Sequence, residues 1–161
     1  MNTLRWILFA LLLLVVLVWL AGRFGALRGN PPADLGVREG RLKPPSRTPN
    51  SVSSQADLHP EHPMHDYARI AALPAGGGAS AAMARVRAVV ERMPGAEVVE
   101  QRDDYLYAQF ETPQLRFVDD VEFWYDPVAQ TVAVRSASRL GRKDFGVNRA
   151  RVEAIRAQLL H

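Results

Sequence analysis

Residues 116–139 have the sequence RFVDDVEFWYDPVAQTVAVRSASR, in which two alternating stretches flank a short segment containing a proline. Successive side chains of a β-strand point to opposite faces, so every second residue shares a face. One face of the first stretch carries Phe117, Asp119, Val121, Phe123 and Tyr125. That face is apolar except for one carboxylate, so we expect it to face the core. Residues 127–130 are typical of a four-residue hairpin loop built on a type I turn.

The loop also sets the register of this hairpin, because it places Asp126 opposite Thr131. The pairs that follow are Tyr125 with Val132, Phe123 with Val134, Val121 with Ser136 and Asp119 with Ser138 on the core side, and Glu122 with Arg135 on the outer side. A shift by one residue would mix the two faces, so turn geometry and hydrophobic pattern predict the same pairing.

Further strands are expected on both sides of this hairpin. Residues 97–101 and 105–111 predict a second hairpin with a tight turn, and residues 67–72 predict an additional short strand.

Two helices are predicted around these strands. Apolar residues recur at helical spacing over 79–93, with Ser80 as the expected N-cap. A last helix is expected over 144–160, with Asp144 as its N-cap and Asn148 facing inward. The predicted fold is therefore α+β: a two-layer sandwich in which two helices pack on one face of an antiparallel sheet of four or five strands.

An apolar segment lies at the N-terminus. Residues 6–22, WILFALLLLVVLVWLAG, carry no charge and would extend roughly 25 Å as a helix. Trp6 and Trp19 lie near its two ends, where indole rings favour the membrane interface. A cleaved signal peptide is the alternative, but Arg23 interrupts the small residues that cleavage would need. The segment predicts a retained signal-anchor that contacts the lipid bilayer.

The chain is thus predicted to have three parts. Residues 1–22 are the transmembrane anchor, residues 23–65 are an extended tether rich in proline and serine, and residues 66–161 are the α+β domain. Arg23 and Arg28 lie next to the apolar segment, so we expect them to contact anionic lipid headgroups.

Charge and composition exclude several classes of function. Residues 76–161 contain twelve basic and twelve acidic residues, so this part is neutral and a nucleic-acid partner is not expected. The chain has no cysteine, which excludes disulfides, thiolate metal sites and a cysteine nucleophile. The basic residues that follow the apolar segment outnumber Arg5 before it, and this count alone favours a cytoplasmic domain.

Several motifs occur together in this chain. They are Leu35-Gly36-Val37, Gly40-Arg41-Leu42, residues 48–55 (TPNSVSSQ), residues 116–123 (RFVDDVEF), residues 134–139 (VRSASR), Gly141 and Gly146-Val147-Asn148-Arg149. In this order they resemble the bacterial and plastid family called domain of unknown function 1499, from about Leu35 to the C-terminus.

The resemblance bears on location but not on activity. Many members of that family have a cysteine where Ser51 stands here and another near Pro45. A disulfide in those relatives would imply an oxidising compartment, so the resemblance favours an extracytoplasmic, periplasmic domain against the charge count. It implies no activity and no cofactor.

Polar residues predicted on the inner side of the sheet and in the tether, together with two arginines as candidate partners of Asp119, form the candidate ligand-binding site. They are Asn50, Ser53, Ser54, Asp119, Ser136, Ser138, Arg139, Asn148 and Arg149. One interpretation is a structural network in which Asp119 pairs with Arg139 or Arg149. The other is a polar pocket for a small ligand or headgroup, with the tether residues folded over it.

Other patterns of reactive side chains are weaker. His59, His62 and His65 have three-residue spacing, but Pro60 and Pro63 prevent a regular helix from aligning them on a metal. The serines at 51, 53 and 54 lack a nucleophile elbow, and the only histidine outside the tether is His161. No catalytic residue, metal site or cofactor is therefore predicted.

Two functions follow from these observations. The preferred one is a non-enzymatic, membrane-anchored accessory or binding module of the cell envelope, whose protein partner the sequence does not identify. The alternative is a hydrolase-like envelope enzyme that acts on lipid or cell-wall precursors.

The anchor prediction can be tested by washing membranes with alkaline carbonate. Because residues 6–22 would lie in the hydrocarbon core, we expect the full-length chain to stay in the pellet. Release of the full-length chain into the supernatant would refute the anchor.

Overall fold

The computed structural model describes residues 2–160. Its helices are α1 (Asn2–Arg23), α2 (His65–Ala68), α3 (Ala79–Val90) and α4 (Val147–Leu159), and a 3-10 turn covers Ala56–Leu58. Its strands are β1 (Ser51–Ser53), β2 (Leu73–Pro74), β3 (Ala96–Gln101), β4 (Tyr105–Glu111), β5 (Val118–Asp126) and β6 (Thr131–Ser138). They form one antiparallel sheet in the order β1-β6-β5-β4-β3, with β2 also paired to β6. The predicted α+β class is confirmed.

The central β5–β6 hairpin has the predicted register. Its pairs are Asp126 with Thr131, Tyr125 with Val132, Phe123 with Val134, Glu122 with Arg135, Val121 with Ser136 and Asp119 with Ser138. The described part of the sheet has six strands where four or five were expected, because β1 and β2 both pair with the outer edge of β6. The short strand expected over 67–72 lies instead at Leu73–Pro74.

α3 and α4 pack on one face of this sheet and bury the main core. Its residues include Met83, Val86 and Val90 from α3, Val152, Ile155 and Leu159 from α4, and Leu106, Val121, Phe123, Val132 and Val134 from the sheet. Both helices start at a glycine cap rather than at the predicted residue. Gly78 caps α3 in place of Ser80, and Gly146, with φ of 84°, caps α4 in place of Asp144. Phe145 and Gly146 both have a left-handed φ, which a right-handed helix excludes, so α4 starts only at Val147.

The other face of the sheet is also covered. Leu42 packs against Tyr105, Tyr107 and Trp124, with Leu35 and Val37 beside it. Gln55 fastens this layer, because its Oε1 accepts the backbone N–H of Leu42 at 2.7 Å. Residues 23–65, expected as an extended tether, therefore contribute a strand and a covering layer to the domain.

α1 projects away from the rest of the chain. One helix, Thr3–Arg23, is long and apolar enough to span a membrane, and none of its apolar stretch is buried against the domain; a signal sequence would have the same properties. Burial begins at Gly22, where a Cβ atom would lie 2.8 Å from the carbonyl oxygen of Leu115. The helix therefore leaves the domain beside the loop that joins β4 to β5.

The covering layer predicts a stability effect at Leu42, which is 2% exposed. Leu42→Ala should lower the free energy of unfolding by about 2–5 kcal/mol, because it leaves a cavity beneath residues 35–42. Urea unfolding of the full chain in a neutral detergent, followed by tryptophan fluorescence, measures the change. Val128→Ala is the control, since Val128 is 92% exposed. Equal midpoints for the two variants would show that the layer does not pack.

Candidate functional site

A buried polar cluster lies between β5, β6 and α4. Arg151 donates from Nη2 to Asp119 Oδ2 at 2.6 Å, and from Nη1 to Ser136 Oγ at 3.1 Å and Asn148 Oδ1 at 2.9 Å. Ser136 Oγ also donates to Asn148 Oδ1 at 2.5 Å. Residue Asn148 is fully buried because it lies in the first turn of α4, on the face that packs against β6. The ion pair of Arg151 with Asp119, together with the side-chain amide of Asn148, therefore connects α4 to the β5–β6 hairpin.

The amide nitrogen of Asn148 extends the cluster towards the end of the sheet. Nδ2 donates to the backbone carbonyl of Asn50 at 3.1 Å, to Ser138 Oγ at 3.0 Å and to Asp144 Oδ2 at 2.9 Å. Burial by itself would raise the pKa of Asp144, but hydrogen bonds from the Tyr67 hydroxyl and from Gly146 and Asn148 bring that pKa below its ordinary value. Asp144 therefore stays ionised and fixes the start of α4.

Five of the nine predicted site residues meet in this cluster: Asn50, Asp119, Ser136, Ser138 and Asn148. The other four lie elsewhere. Ser53 Oγ accepts the N–H of Gln55 and Ser54 Oγ accepts the N–H of Val134, so these hydroxyls fix the end of β1. Arg149 donates to the carbonyl of Tyr67 at 2.6 Å, and Arg139 lies on the opposite face of the sheet. Ligand binding by the nine remains a prediction.

The partner of Asp119 differs from the one expected. The sequence suggested Arg139 or Arg149, whereas the carboxylate pairs with Arg151. Arg151 stands three positions after Asn148, and residues three apart on a helix share a face. That spacing was the available signal for Arg151. Position 139 continues the alternation of β6 on the side of Arg135, which is the outer face, so Arg139 does not reach Asp119 on the inner face.

The outer face carries a second set of buried charges. Arg139 binds Asp120 with two hydrogen bonds, Nε to Oδ2 at 2.9 Å and Nη2 to Oδ1 at 2.7 Å. Tyr107 donates its hydroxyl to Asp120 Oδ1 at 2.5 Å, and burial followed by this bond raises the pKa of Tyr107 to about 12. Bidentate pairs of this kind are among the strongest hydrogen-bonded contacts in proteins. The charge of Asp120 is therefore matched by Arg139.

The hydrogen bonds of Glu122 and Arg135 are satisfied less completely than those of Asp120 and Arg139. Glu122 Oε1 accepts the N–H of Gly36 at 2.7 Å and the hydroxyl of Tyr105 at 2.9 Å, while Oε2 has no hydrogen-bond partner within the described residues. Arg135 Nη1 lies 3.8 Å from Glu122 Oε2, beyond the 2.7–3.2 Å range of an N–H···O hydrogen bond. Burial raises the pKa of Glu122 and lowers that of Arg135. An arginine remains charged even so.

Arg135 therefore has N–H groups that form no hydrogen bond within the described residues. Its Nε donates to the carbonyl of Pro44 at 3.2 Å. Neither Nη atom forms a hydrogen bond with any residue between 2 and 160, although the side chain is only 4% exposed. A guanidinium has five N–H groups, so most of them are free for another acceptor.

A cavity of about 380 Å³ opens beside this guanidinium. The residues that line it are Asn30, Pro32, Lys43, Pro45, Ser46, Arg47, Asp120, Arg135, Ala137, Ser138 and Arg139. Four of them are basic and one is acidic. Lys43 pairs with Asp34 at 2.5 Å at the rim, whereas Arg47 is exposed and forms no ion pair within the described part of the chain. Because Lys43 and Arg139 are paired with carboxylates, the positive charge available to a ligand comes from Arg47 and from the incompletely paired Arg135.

The cavity lies at the end of the sheet from which α1 leaves. A Cβ atom at Gly29 would lie 3.0 Å from Cβ of Arg139. Arg28, expected at lipid headgroups, forms an ion pair with Glu111 at 3.3 Å, and Arg23 is exposed at the end of α1.

The sequence did not predict the cavity, because its walls come from the tether and from the outer face of β5 and β6. The only available signal was the run of basic residues from 38 to 47.

The histidines do not converge on one point. His65 lies between Asp57, at 2.9 Å, and Asp66, at 2.8 Å. The His62 ring accepts a backbone N–H instead. Within residues 2–160 no group of three histidine, cysteine or carboxylate side chains is placed to hold a metal ion.

Comparison with known proteins agrees with the motifs. A family model described as "Protein of unknown function (DUF1499)" matches residues 41–159. Searches of curated proteins and of solved structures found no match.

The inner cluster predicts graded losses of stability. Asp119→Asn should lower the free energy of unfolding by about 1–3 kcal/mol, because the charge-assisted bonds to Arg151 are lost. Asp119→Leu should cost about 3–5 kcal/mol, because it leaves a buried guanidinium unpaired. Urea unfolding of the full chain in detergent measures both. Asp103→Asn, at an exposed position, is the control. Unchanged stability in both Asp119 variants would refute a structural role for the cluster.

Proposed function

The chain belongs to the domain of unknown function 1499 family, and from its geometry we propose that it is a non-enzymatic, membrane-anchored binding module of the cell envelope. Its binding site is the cavity between residues 30–47 and the outer face of β5 and β6. Its ligand is a phosphate-type anion. The family assignment carries no activity, so the proposal rests on the site.

The observation that carries the proposal is the buried guanidinium of Arg135. Desolvating a charge is costly unless partners repay the cost. Glu122 offsets this cost incompletely, since its Oε2 lies 3.8 Å from Nη1 of Arg135, and Arg135 lines an open cavity. An anion there would complete the hydrogen bonds of Arg135.

The other cavity walls fit the same ligand class. Arg47 lines the cavity, is exposed and forms no ion pair within residues 2–160, so its side chain is free to contact an anion. Planar guanidinium groups match the oxygens of phosphate in paired hydrogen bonds. A volume of about 380 Å³ lies in the range of ordinary small-ligand sites, about 300–1,000 Å³.

The position of the cavity relative to α1 also fits a module that works at a membrane surface. α1 is long and apolar enough to anchor the chain, and the cavity lies at the end of the domain nearest α1. We place the domain on the extracytoplasmic side, on the strength of the cysteine positions in the relatives. Arg23 is free to contact lipid headgroups there.

The buried carboxylates favour binding over hydrolysis. Asp119 is held by Arg151, Asp120 by Arg139, and Glu122 by Tyr105 and Gly36. A general base must be within reach of the proton it removes and free to accept it. Asp119 and Asp120 are thus engaged as acceptors by the fold itself, and the one oxygen of Glu122 left unbonded within the described residues, Oε2, faces the Arg135 guanidinium at 3.8 Å.

Calorimetric titration of the full chain in neutral detergent tests the proposal, with inorganic phosphate and glycerol phosphate as probes. We expect saturable binding. Arg47→Ala should weaken it about tenfold or more, because a hydrogen bond to a charged group is worth about 1.5–3 kcal/mol. Arg92→Ala is the matched control, an exposed arginine outside the cavity.

The outcomes separate clearly. Tighter binding of glycerol phosphate would identify a lipid headgroup as the source of the anion, and equal binding would identify free phosphate. The proposal fails if neither probe binds, or if Arg47→Ala and Arg92→Ala weaken binding equally.

A further inference from the structure

The loop between β6 and α4, residues 139–146, combines exposed apolar and basic side chains. Phe145 is 92% exposed and Leu140 is 41% exposed. Between them, Arg142 and Lys143 are both exposed. Aromatic and aliphatic side chains next to lysine and arginine are typical of segments that lie at a membrane interface.

The backbone of this loop is held in place while these side chains point outward. Asn50 Nδ2 donates to the carbonyl of Gly141 at 2.7 Å, and the N–H of Asp144 donates to the carbonyl of Pro49 at 3.2 Å. The Asp144 carboxylate accepts the N–H of Gly146 at 3.0 Å. The loop is therefore a built feature of the domain.

Phe145 has an unfavourable conformation. Its φ is 52°, in the left-handed region that residues other than glycine rarely adopt. The fold holds this conformation, yet the ring gains almost no burial from it. Strain that persists beside an exposed aromatic ring indicates a function for that ring.

The loop also lies at the end of the domain from which α1 departs. A Cβ atom at Gly22 would lie 2.8 Å from the carbonyl oxygen of Leu115, in the β4–β5 loop. A Cβ atom at Gly29 would lie 3.1 Å from Cγ of Leu140. The N–H of Arg139 donates to the carbonyl of Val118 at the same end of the sheet, at 3.2 Å. A bilayer that holds α1 as far as Gly22 therefore comes within reach of the β6–α4 loop.

We propose that the β6–α4 loop is a second membrane contact, in which Phe145 and Leu140 enter the interface and Arg142 and Lys143 bind anionic headgroups. The contact rests on the anchoring part of the proposed function and is independent of anion binding in the cavity. It fixes the orientation of the domain on the bilayer, because an anchor and a loop define two points of attachment.

Single introduced thiols test this contact, since the chain contains no cysteine. Phe145→Cys and Val128→Cys are each labelled with an environment-sensitive nitrobenzoxadiazole dye in the full chain. The two native side chains are equally exposed, at 92%, and lie at opposite ends of the sheet. Each labelled protein is reconstituted into liposomes of phosphatidylcholine with phosphatidylglycerol, with and without lipids that carry a shallow nitroxide quencher.

We expect blue-shifted emission and strong nitroxide quenching at position 145, and neither at position 128. Replacing both Arg142→Gln and Lys143→Gln in the Phe145→Cys background should reduce quenching in liposomes with phosphatidylglycerol but not in pure phosphatidylcholine. Equal signals at positions 145 and 128 would overturn the loop contact. Unchanged quenching of the double glutamine variant in liposomes with phosphatidylglycerol would overturn the headgroup part.

Flotation of the same liposomes separates this proposal from the anchor. If the labelled chain does not float with the liposomes, the anchoring part of the proposed function fails and the loop contact fails with it. If the chain floats but position 145 is unquenched, the anchor stands and the loop contact alone is wrong.

Discussion

The pairing of β5 with β6 buries acidic and basic side chains on both faces of the same two strands. Asp119 faces α4, while Asp120 and Glu122 face the opposite side, and all three are almost fully buried. An isolated buried charge is strongly destabilising, so each carboxylate needs a partner from another element. The rest of the domain is arranged around this requirement.

The requirement explains the layers on either side of the sheet. On the inner side, α4 supplies Arg151, which donates to Asp119. Asn148, about one helical turn earlier, accepts a hydrogen bond from the same guanidinium. On the outer side, residues 35–44 supply the N–H of Gly36 to Glu122 and the carbonyl of Pro44 to Arg135. The segment that follows α1 is thus part of the domain, because it completes hydrogen bonds that the sheet leaves open.

The charges on the two faces of the sheet are satisfied to different extents, and the proposed binding site rests on this difference. The inner ion pair is short and reinforced by amide and hydroxyl groups. The outer pair of Glu122 and Arg135 is stretched, and Arg135 lines a cavity that Arg47 also lines. Fully satisfied networks rigidify a fold, whereas the incomplete outer pair is where we propose that a ligand binds. The proposed site lies at the end of the domain nearest α1, where an anionic membrane surface would supply suitable groups.

Local pattern was sufficient for part of this protein. Alternation and turn chemistry determined the β5–β6 register residue by residue, helical spacing located α3 and α4, and an unbroken apolar run identified α1. These features depend on neighbours in sequence, so periodicity reveals them. Only the tertiary structure decided that Asp119 pairs with Arg151 rather than Arg139, and that residues 35–44 cover the outer face. Those contacts join positions far apart in the chain, and several arginines offer the same charge. Geometry alone selects among them, because a buried guanidinium must reach both its carboxylate and its remaining acceptors at once.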